Sequence, residues 1–190
     1  MALIFVTSNR HKFEEVSEIA VRHNIELEHN NTPYIEIQAD ELEQVVRPSV
    51  QQACALIRKP CFAEDAGLFV RALRGFPGPY SNFVFRTLGN EGLLKLMSGE
   101  RDRRAEFRSA VGYCEPGKKP EVFMGKVEGT IALETRGTRG FGFDPIFVPS
   151  EGDGRTFAEM SMDEKNRFSH RARAIEAFFK WCKQREKVRG

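Results

Sequence analysis

The sequence predicts an α/β fold built on a mixed sheet with long antiparallel strands. Three observations carry that prediction. A β-rich run at 3–6 passes directly into a helical pattern, and segments of the two kinds interleave afterwards. Two long β-rich runs, 105–114 and 122–131, flank a Gly- and Pro-containing turn at 115–120, which is the signature of a hairpin and not of a parallel crossover. At 190 residues the chain is long enough for one domain (1–190) with a substantial core.

Taken in order, strand 3–6 ends at Thr7-Ser8-Asn9, where Ser8 or Asn9 is the natural N-cap of a helix whose inward residues are Phe13, Val16, Ile19 and Ala20. Residues 25–27 read as a second strand, and 35–37 as a short strand or extended segment. A helix starts at 40–46, with Leu42, Val45 and Val46 on one face, and Pro48 either breaks it or begins a new helix reaching Ile57. Residues 61–70 supply one or two strands. The Gly- and Pro-rich stretch 75–80 is a loop, 91–97 a short helix, and 137–142 a glycine-rich loop. The last element is a single helix capped by Ser161 or Asp163, because Phe168, Ala172, Ile175, Phe179 and Cys182 recur at spacings of 4, 3, 4 and 3.

Bulk properties exclude several classes. A net charge of +2 with scattered basic residues gives no case for a nucleic-acid binder; only the stretch 180–189 is clearly basic, as a solvated helix end would be. The four cysteines have no Cys-x-x-Cys spacing and three lie in apolar settings, which suits reduced thiols in a cytoplasmic protein. The histidines form no zinc-type cluster. The apolar start lacks a basic leader and is too short to span a membrane, so no membrane association is expected.

The chemistry centres on Glu64 and Asp65, adjacent carboxylates inside an apolar run. Ionised carboxylates are costly to bury uncompensated, and neighbours repel, so a hard divalent cation such as magnesium is the economical partner. The alternative is a strand ending at Asp65 with Ala66-Gly67 as a solvated turn. Thr7, Ser8, Asn9, Arg10, His11 and Lys12 put hydroxyls, an amide and cations at a helix N-terminus, where free N–H groups and the dipole favour phosphate oxygens. The alternative there is a plain capped helix. Phe141, Gly142, Phe143 and Asp144 combine a pliable backbone, two aromatics and a carboxylate, a surface on which a purine stacks while polar groups read its edge. Lys165 continues an inward stripe and requires an anionic partner, with His170 and Arg171 on the following turns. The inventory describes a nucleoside polyphosphate site.

Five segments carry a resemblance: Thr7-Ser-Asn-Arg-His-Lys12, Ala63-Glu-Asp-Ala-Gly-Leu68, Phe76-Pro-Gly-Pro-Tyr-Ser81, Gly140-Phe-Gly-Phe-Asp-Pro-Ile-Phe147 and Glu164-Lys-Asn-x-x-Ser-His-Arg171. In this order the chain resembles the inosine/xanthosine triphosphate pyrophosphatases, which hydrolyse non-standard purine nucleoside triphosphates (ITP, dITP, XTP) to the monophosphate and pyrophosphate. The resemblance implies two lobes flanking a central cleft, a homodimer and Mg2+ dependence. It implies Asp65 as general base and metal ligand, Glu36 as a second metal ligand, and substrate contacts at residues 7–12, Ala66, 141–144, Lys165, His170 and Arg171. Arg171, a permanent donor, is expected to satisfy the 6-oxo group of the base. The chain departs from the family in two places. Ala66 replaces a frequent serine, which leaves only a backbone contact there. The helix after Glu36 lacks a lysine that many members carry, with Gln51, Gln52, Arg47 and Lys59 as candidate replacements. A related septum-inhibitor-type pyrophosphatase lacks the His-Arg ending; a non-catalytic nucleotide sensor or RNA-binding module has no use for carboxylates at 36, 64 and 65.

Overall fold

The computed structural model describes residues 2–189; Met1 and Gly190, the ends of the expected domain, lie outside the described residues. Seven strands and six α-helices follow in the order β1 (Ala2–Val6), α1 (Arg10–Arg22), β2 (Glu26–Asn30), α2 (Leu42–Ile57), β3 (Cys61–Val70), β4 (Pro77–Gly78), α3 (Ser81–Thr87), α4 (Gly89–Leu96), β5 (Arg104–Cys114), β6 (Glu121–Ile131), β7 (Phe147–Pro149), α5 (Met162–Lys165) and α6 (His170–Arg189). The sheet order is β2-β1-β3-β5-β6-β7, with β4 pairing β3. β1 runs parallel to β2 and β3; the β3–β5, β5–β6 and β6–β7 pairs are antiparallel. The predicted mixed sheet and its long hairpin are both present.

Several elements differ from expectation. α2 is one helix through Pro48; the carbonyl of Gln44, which loses its donor there, belongs to an exposed residue, so the lost bond is not buried. The second strand lies at Glu26–Asn30, pulled onward by five register partners on β1. Residues 35–37 form no strand and run as an extended coil. The 75–80 loop contains the short β4, and α3 follows it without the apolar periodicity that would have announced it. The last helix is two. Ser161 caps α5, accepting from the Glu164 N–H at 3.2 Å, and a turn at 166–169 separates it from α6, where the Ser169 hydroxyl accepts from the Ala172 N–H at 3.1 Å. A second cap inside one periodic stripe is invisible to spacing alone.

Two features of the sheet create the site. β1 pairs β3 only through Ile4↔Cys61 and Phe5↔Phe62, and β4 joins that edge only at Leu68 and Phe69. Between them the edge of β3 at 63–67 has no strand beside it. Crevices of this kind, at the carboxyl ends of parallel strands, are where open α/β sheets bind ligands. The second feature is the layering on the face that carries α1 and α6. Phe62 of β3 and Val111 of β5 belong to one apolar core with Phe5, Ile19, Ile175 and Phe178. Leu68 and Phe107, further along the same strands, belong to another with Val127, Phe143 and Phe157. Glu64 and Ser109 lie between them and begin a buried polar seam. The two cores are the two lobes. On the opposite face α2 packs through Val46, Val50, Ala53 and Cys54.

Close approach across the sheet needs glycine. A Cβ on Gly125 of β6 would lie 2.2 Å from the His170 carbonyl oxygen and 2.5 Å from the Ala174 nitrogen, so α6 rests directly on the strand backbone.

Candidate active site

Side chains alternate along a strand, so Glu64 and Asp65 point to opposite faces of β3. Sequence reasoning let the adjacent pair share one cation; the strand geometry divides them. Glu64 enters the seam. Its Oε1 accepts from the Ser109 hydroxyl at 2.6 Å and lies 3.2 Å from Arg171 Nε, and its Oε2 lies 3.1 Å from Lys12 Nζ. Burial opposes its ionisation, but Arg171, Lys12 and Ser109 together hold its carboxyl at about 2.

Glu15 of α1 is the centre of the seam. It accepts from Lys165 Nζ at 2.7 Å and from Arg171 Nη1, and Lys165 Nζ also reaches Asp144 Oδ2 at 2.7 Å. Burial raises the Glu15 carboxyl, and Lys165 and Arg171 outweigh it to leave it at about 2. Asp144 moves the other way, raised by burial and by the Glu15 charge against the pull of Lys165. Three carboxylates (Glu15, Glu64, Asp144) therefore face three cations (Lys12, Lys165, Arg171), and Asp65 is left over. Burial, with Glu64 and Glu36, lifts its carboxyl to about 6, against Lys12 and the Ala66 N–H. Its Oδ1 accepts that N–H at 2.9 Å and stands 3.9 Å from Lys12 Nζ.

Lys12 bridges the open edge of β3. Its ammonium donates to the Glu64 carbonyl at 2.9 Å. Asn9 is the N-cap of α1, accepting from the Lys12 N–H at 3.2 Å, and its own N–H donates to the Thr7 hydroxyl at 3.1 Å. This loop holds the first helical N–H groups at the mouth of the crevice, with Ser8, Arg10 and His11 solvent-exposed or partly so.

The glycine-rich loop closes the other side. Asp144 Oδ2 accepts the Phe141 N–H at 2.9 Å, and a Cβ on Gly140 would collide with that oxygen at 2.1 Å. The Phe141 ring stacks on His11 with centroids 5.4 Å apart, and Lys165 Nζ and Arg171 Cζ lie 5.3 and 5.4 Å from its centroid. Phe143 is buried in the second core, edge-on to Phe85. The Gly142 carbonyl accepts from Asn90 Nδ2 at 3.2 Å.

Arg171 and His170 sit deeper than sequence reasoning placed them. Arg171 is only 2% exposed and ion-paired to Glu15 and Glu64, so it forms the floor beneath Phe141 and does not project as a free base reader. His170 stacks on Phe107 at 4.6 Å, and burial with the neighbouring cations keeps it neutral, its pKa well below 6.5. The inward direction of Lys165 is as predicted, although α5 ends at that residue.

Glu36, exposed in the coil 31–39, adds its charge to burial in raising both Asp65 and Tyr34. Among the described residues no group of three or more His, Cys, Asp or Glu side chains is placed to hold a metal by itself. Magnesium commonly takes one or two carboxylates and completes its shell with water and substrate phosphate. Asp65, which shares Lys12 with Glu64, and Glu36, whose charge acts on it, fit that requirement. Sequence reasoning missed Glu15, Ser109, Tyr34 and Asn90, and it offered Gln52 only as a phosphate contact. Glu15 alone carried a signal: it lies four residues before Ile19 and therefore on the inward stripe of α1.

The model of the Ham1 family matches residues 3–181. The chain is 52% identical to the dITP/XTP pyrophosphatase of Methanothermobacter marburgensis over 99% of this chain and 100% of that protein. It is 53% identical to the dITP/XTP pyrophosphatase of Saccharolobus solfataricus over 91% of this chain and 89% of that one. Its fold superposes on the Staphylococcus aureus Ham1 protein with a TM-score of 0.82 at 27% identity, covering 97% of this chain and 100% of the other.

Proposed function

The chain belongs to the Ham1 family, and from that premise we propose that it hydrolyses dITP, ITP and XTP to the monophosphate and pyrophosphate with magnesium as cofactor. The observation that carries the reading is Asp65: one carboxylate beyond charge balance, raised to about 6 at the open edge of the sheet. Such a group takes a proton from an attacking water near neutral pH. Bound magnesium, held by Asp65 and Glu36, supplies charge neutralisation at the phosphates.

The chain's own residues provide the rest. The N–H groups opening α1, the Thr7 and Ser8 hydroxyls and Asn9 hold the triphosphate. Lys12 adds positive charge beside the scissile linkage while fixing the strand edge that bears Asp65. The Ala66 N–H orients the Asp65 carboxylate. The purine stacks on Phe141, with Gly142, Phe143 and Asp144 shaping its edge. Lys165 and Arg171, held by Glu15, Asp144 and Glu64, make a rigid charged floor beneath Phe141. His170, neutral and packed on Phe107, supports that floor.

We further read the protein as a cytoplasmic homodimer with no nucleic-acid partner. The exposed Phe76, Tyr80, Phe83 and Leu88 support a self-association surface and the small net charge disfavours nucleic acid. Among the described residues no helix is long and apolar enough to cross a membrane. The test is pyrophosphate release across all common and non-standard nucleoside triphosphates with magnesium. Inosine and xanthosine forms are expected first, guanosine far behind, and the others near background; equal turnover of ATP and ITP refutes the reading.

A further inference from the structure

The segment that carries Glu36 has no regular structure of its own. Residues 31–39 lie between β2 and α2 and make no ladder contact. Ile35 is 72% exposed, so apolar burial does not fix the backbone there. Two attachments immediately precede Glu36. The Ile35 N–H donates to Oε1 of Gln52, in the middle of α2. Tyr34 packs its ring against the core beneath α2, beside Val50, Ala53 and Cys61. α2 is itself anchored on β3 and β5 through Val46, Val50 and Ala53. A rigid element thus reaches out through one amide and sets the position of the residue before Glu36.

We propose that Gln52 is a positioning residue for the metal site: by accepting the Ile35 N–H it holds Glu36 against Asp65, and without it the segment loses its register. The inference rests on the reading of Asp65 and Glu36 as metal ligands. It also gives Gln52 a role different from the phosphate contact considered for it in the sequence. Its amide oxygen is engaged by the backbone. Arg47 is directed elsewhere, to Glu43 and the Pro120 carbonyl. Outer partners that orient ligands typically change metal affinity by about 10–100-fold when removed. Gln52 is only partly buried and the Ile35 N–H opens to water when its acceptor goes, so the fold tolerates the change.

The test uses the full chain and Mn2+ as a paramagnetic probe, with three variants. Gln52→Leu keeps bulk and removes the acceptor; Gln52→Glu keeps an acceptor; Glu36→Gln removes the ligand. Mn2+ affinity is measured by electron paramagnetic resonance without nucleotide, and exchange of the Ile35 amide by NMR. Gln52→Leu is expected to weaken Mn2+ about 10-fold or more and to speed Ile35 exchange, with an unchanged thermal midpoint. Gln52→Glu is expected to retain both properties. Unchanged Mn2+ affinity in Gln52→Leu while Glu36→Gln weakens it overturns the positioning role alone. Equal losses in Gln52→Leu and Gln52→Glu overturn it as well. Unchanged affinity in Glu36→Gln overturns the positioning role together with the metal assignment. Pyrophosphate release by the unmodified chain reports on the overall function separately.

Discussion

Replacing Glu15 by glutamine removes one negative charge from a seam in which three carboxylates balance three cations, while leaving an amide of the same shape. The side chain is 3% exposed, so solvent screens little of the effect. A carboxyl held at about 2 in place of its ordinary 4.5 corresponds to about 3 kcal/mol of folding stability at 1.36 kcal/mol per pH unit. Breaking a buried ion pair from one side costs about 3–5 kcal/mol by general experience, because the partner charge is left uncompensated. The two routes agree. For a chain of this size 3–5 kcal/mol lowers the thermal midpoint by about 6–20 °C. The sign with pH follows from the depressed folded value. The contribution of Glu15 is complete above its unfolded value near 4.5 and is lost as pH falls towards 2. Urea unfolding followed by fluorescence of Trp181, which packs on the first core, should show the full gap between the two proteins at pH 7, and the gap should close between about pH 4.5 and 2. A gap below about 1 kcal/mol at pH 7, or one that stays constant down to pH 2.5, refutes the account of the seam.

Asp65→Asn is expected to lower kcat by about 10²–10⁴ and, because burial and the neighbouring carboxylates disfavour the Asp65 charge, to raise stability at pH 7; near-normal turnover removes Asp65 from its role. The acidic limb of kcat/KM should lie near pH 6 at low magnesium and move to lower pH as magnesium rises, because activity needs the ionised carboxylate; a limb indifferent to magnesium counts against a shared site. Phe141→Ala should raise KM for every purine triphosphate by roughly 5- to 150-fold, the equivalent of about 1–3 kcal/mol of stacking, with little change in the ITP-to-XTP ratio. Gly125→Val should cost about 1–3 kcal/mol through overpacking and depress turnover by displacing the start of α6, where a Cβ would meet the His170 and Ala174 backbone; an unchanged unfolding curve refutes the close packing of α6 on β6.

The elements that the sequence made legible are those whose information is local. The hairpin β5–β6 declared itself by two long β-rich runs around a turn, and the opening strand, loop and helix by a cap followed by an inward stripe. The break between α5 and α6 did not, because the apolar spacing runs across it unchanged and only a serine hydroxyl marks the restart. The site divides in the same way. Residues joined to a recognisable local device sit where that device puts them, Asn9 at the cap of α1 and Phe141 in the glycine loop. Glu15, Ser109 and Gln52 act through partners 156, 45 and 17 residues away in sequence, and no local pattern encodes such a pairing.

The seam also explains why Asp65 differs chemically from its neighbour. Alternation on β3 sends Glu64 into a layer with Arg171, Lys12 and Ser109 and sends Asp65 to the face with Tyr34 and Glu36. One residue of register therefore separates a carboxylate held at about 2 from one raised to about 6. The first is locked in its charged form and fixes the lobes against each other; the second gains from any cation brought to it. An apolar seam would be at least as stable, but it would leave Lys12 without the Glu64 carboxylate that draws it to the strand edge, and the floor beneath Phe141 without its fixed donors. The charge layer between the two cores is thus a requirement of the site as much as of the fold. It follows that changes within the seam should alter nucleotide affinity and lower stability together, whereas changes on the Asp65 face should alter metal affinity and turnover without a loss of stability.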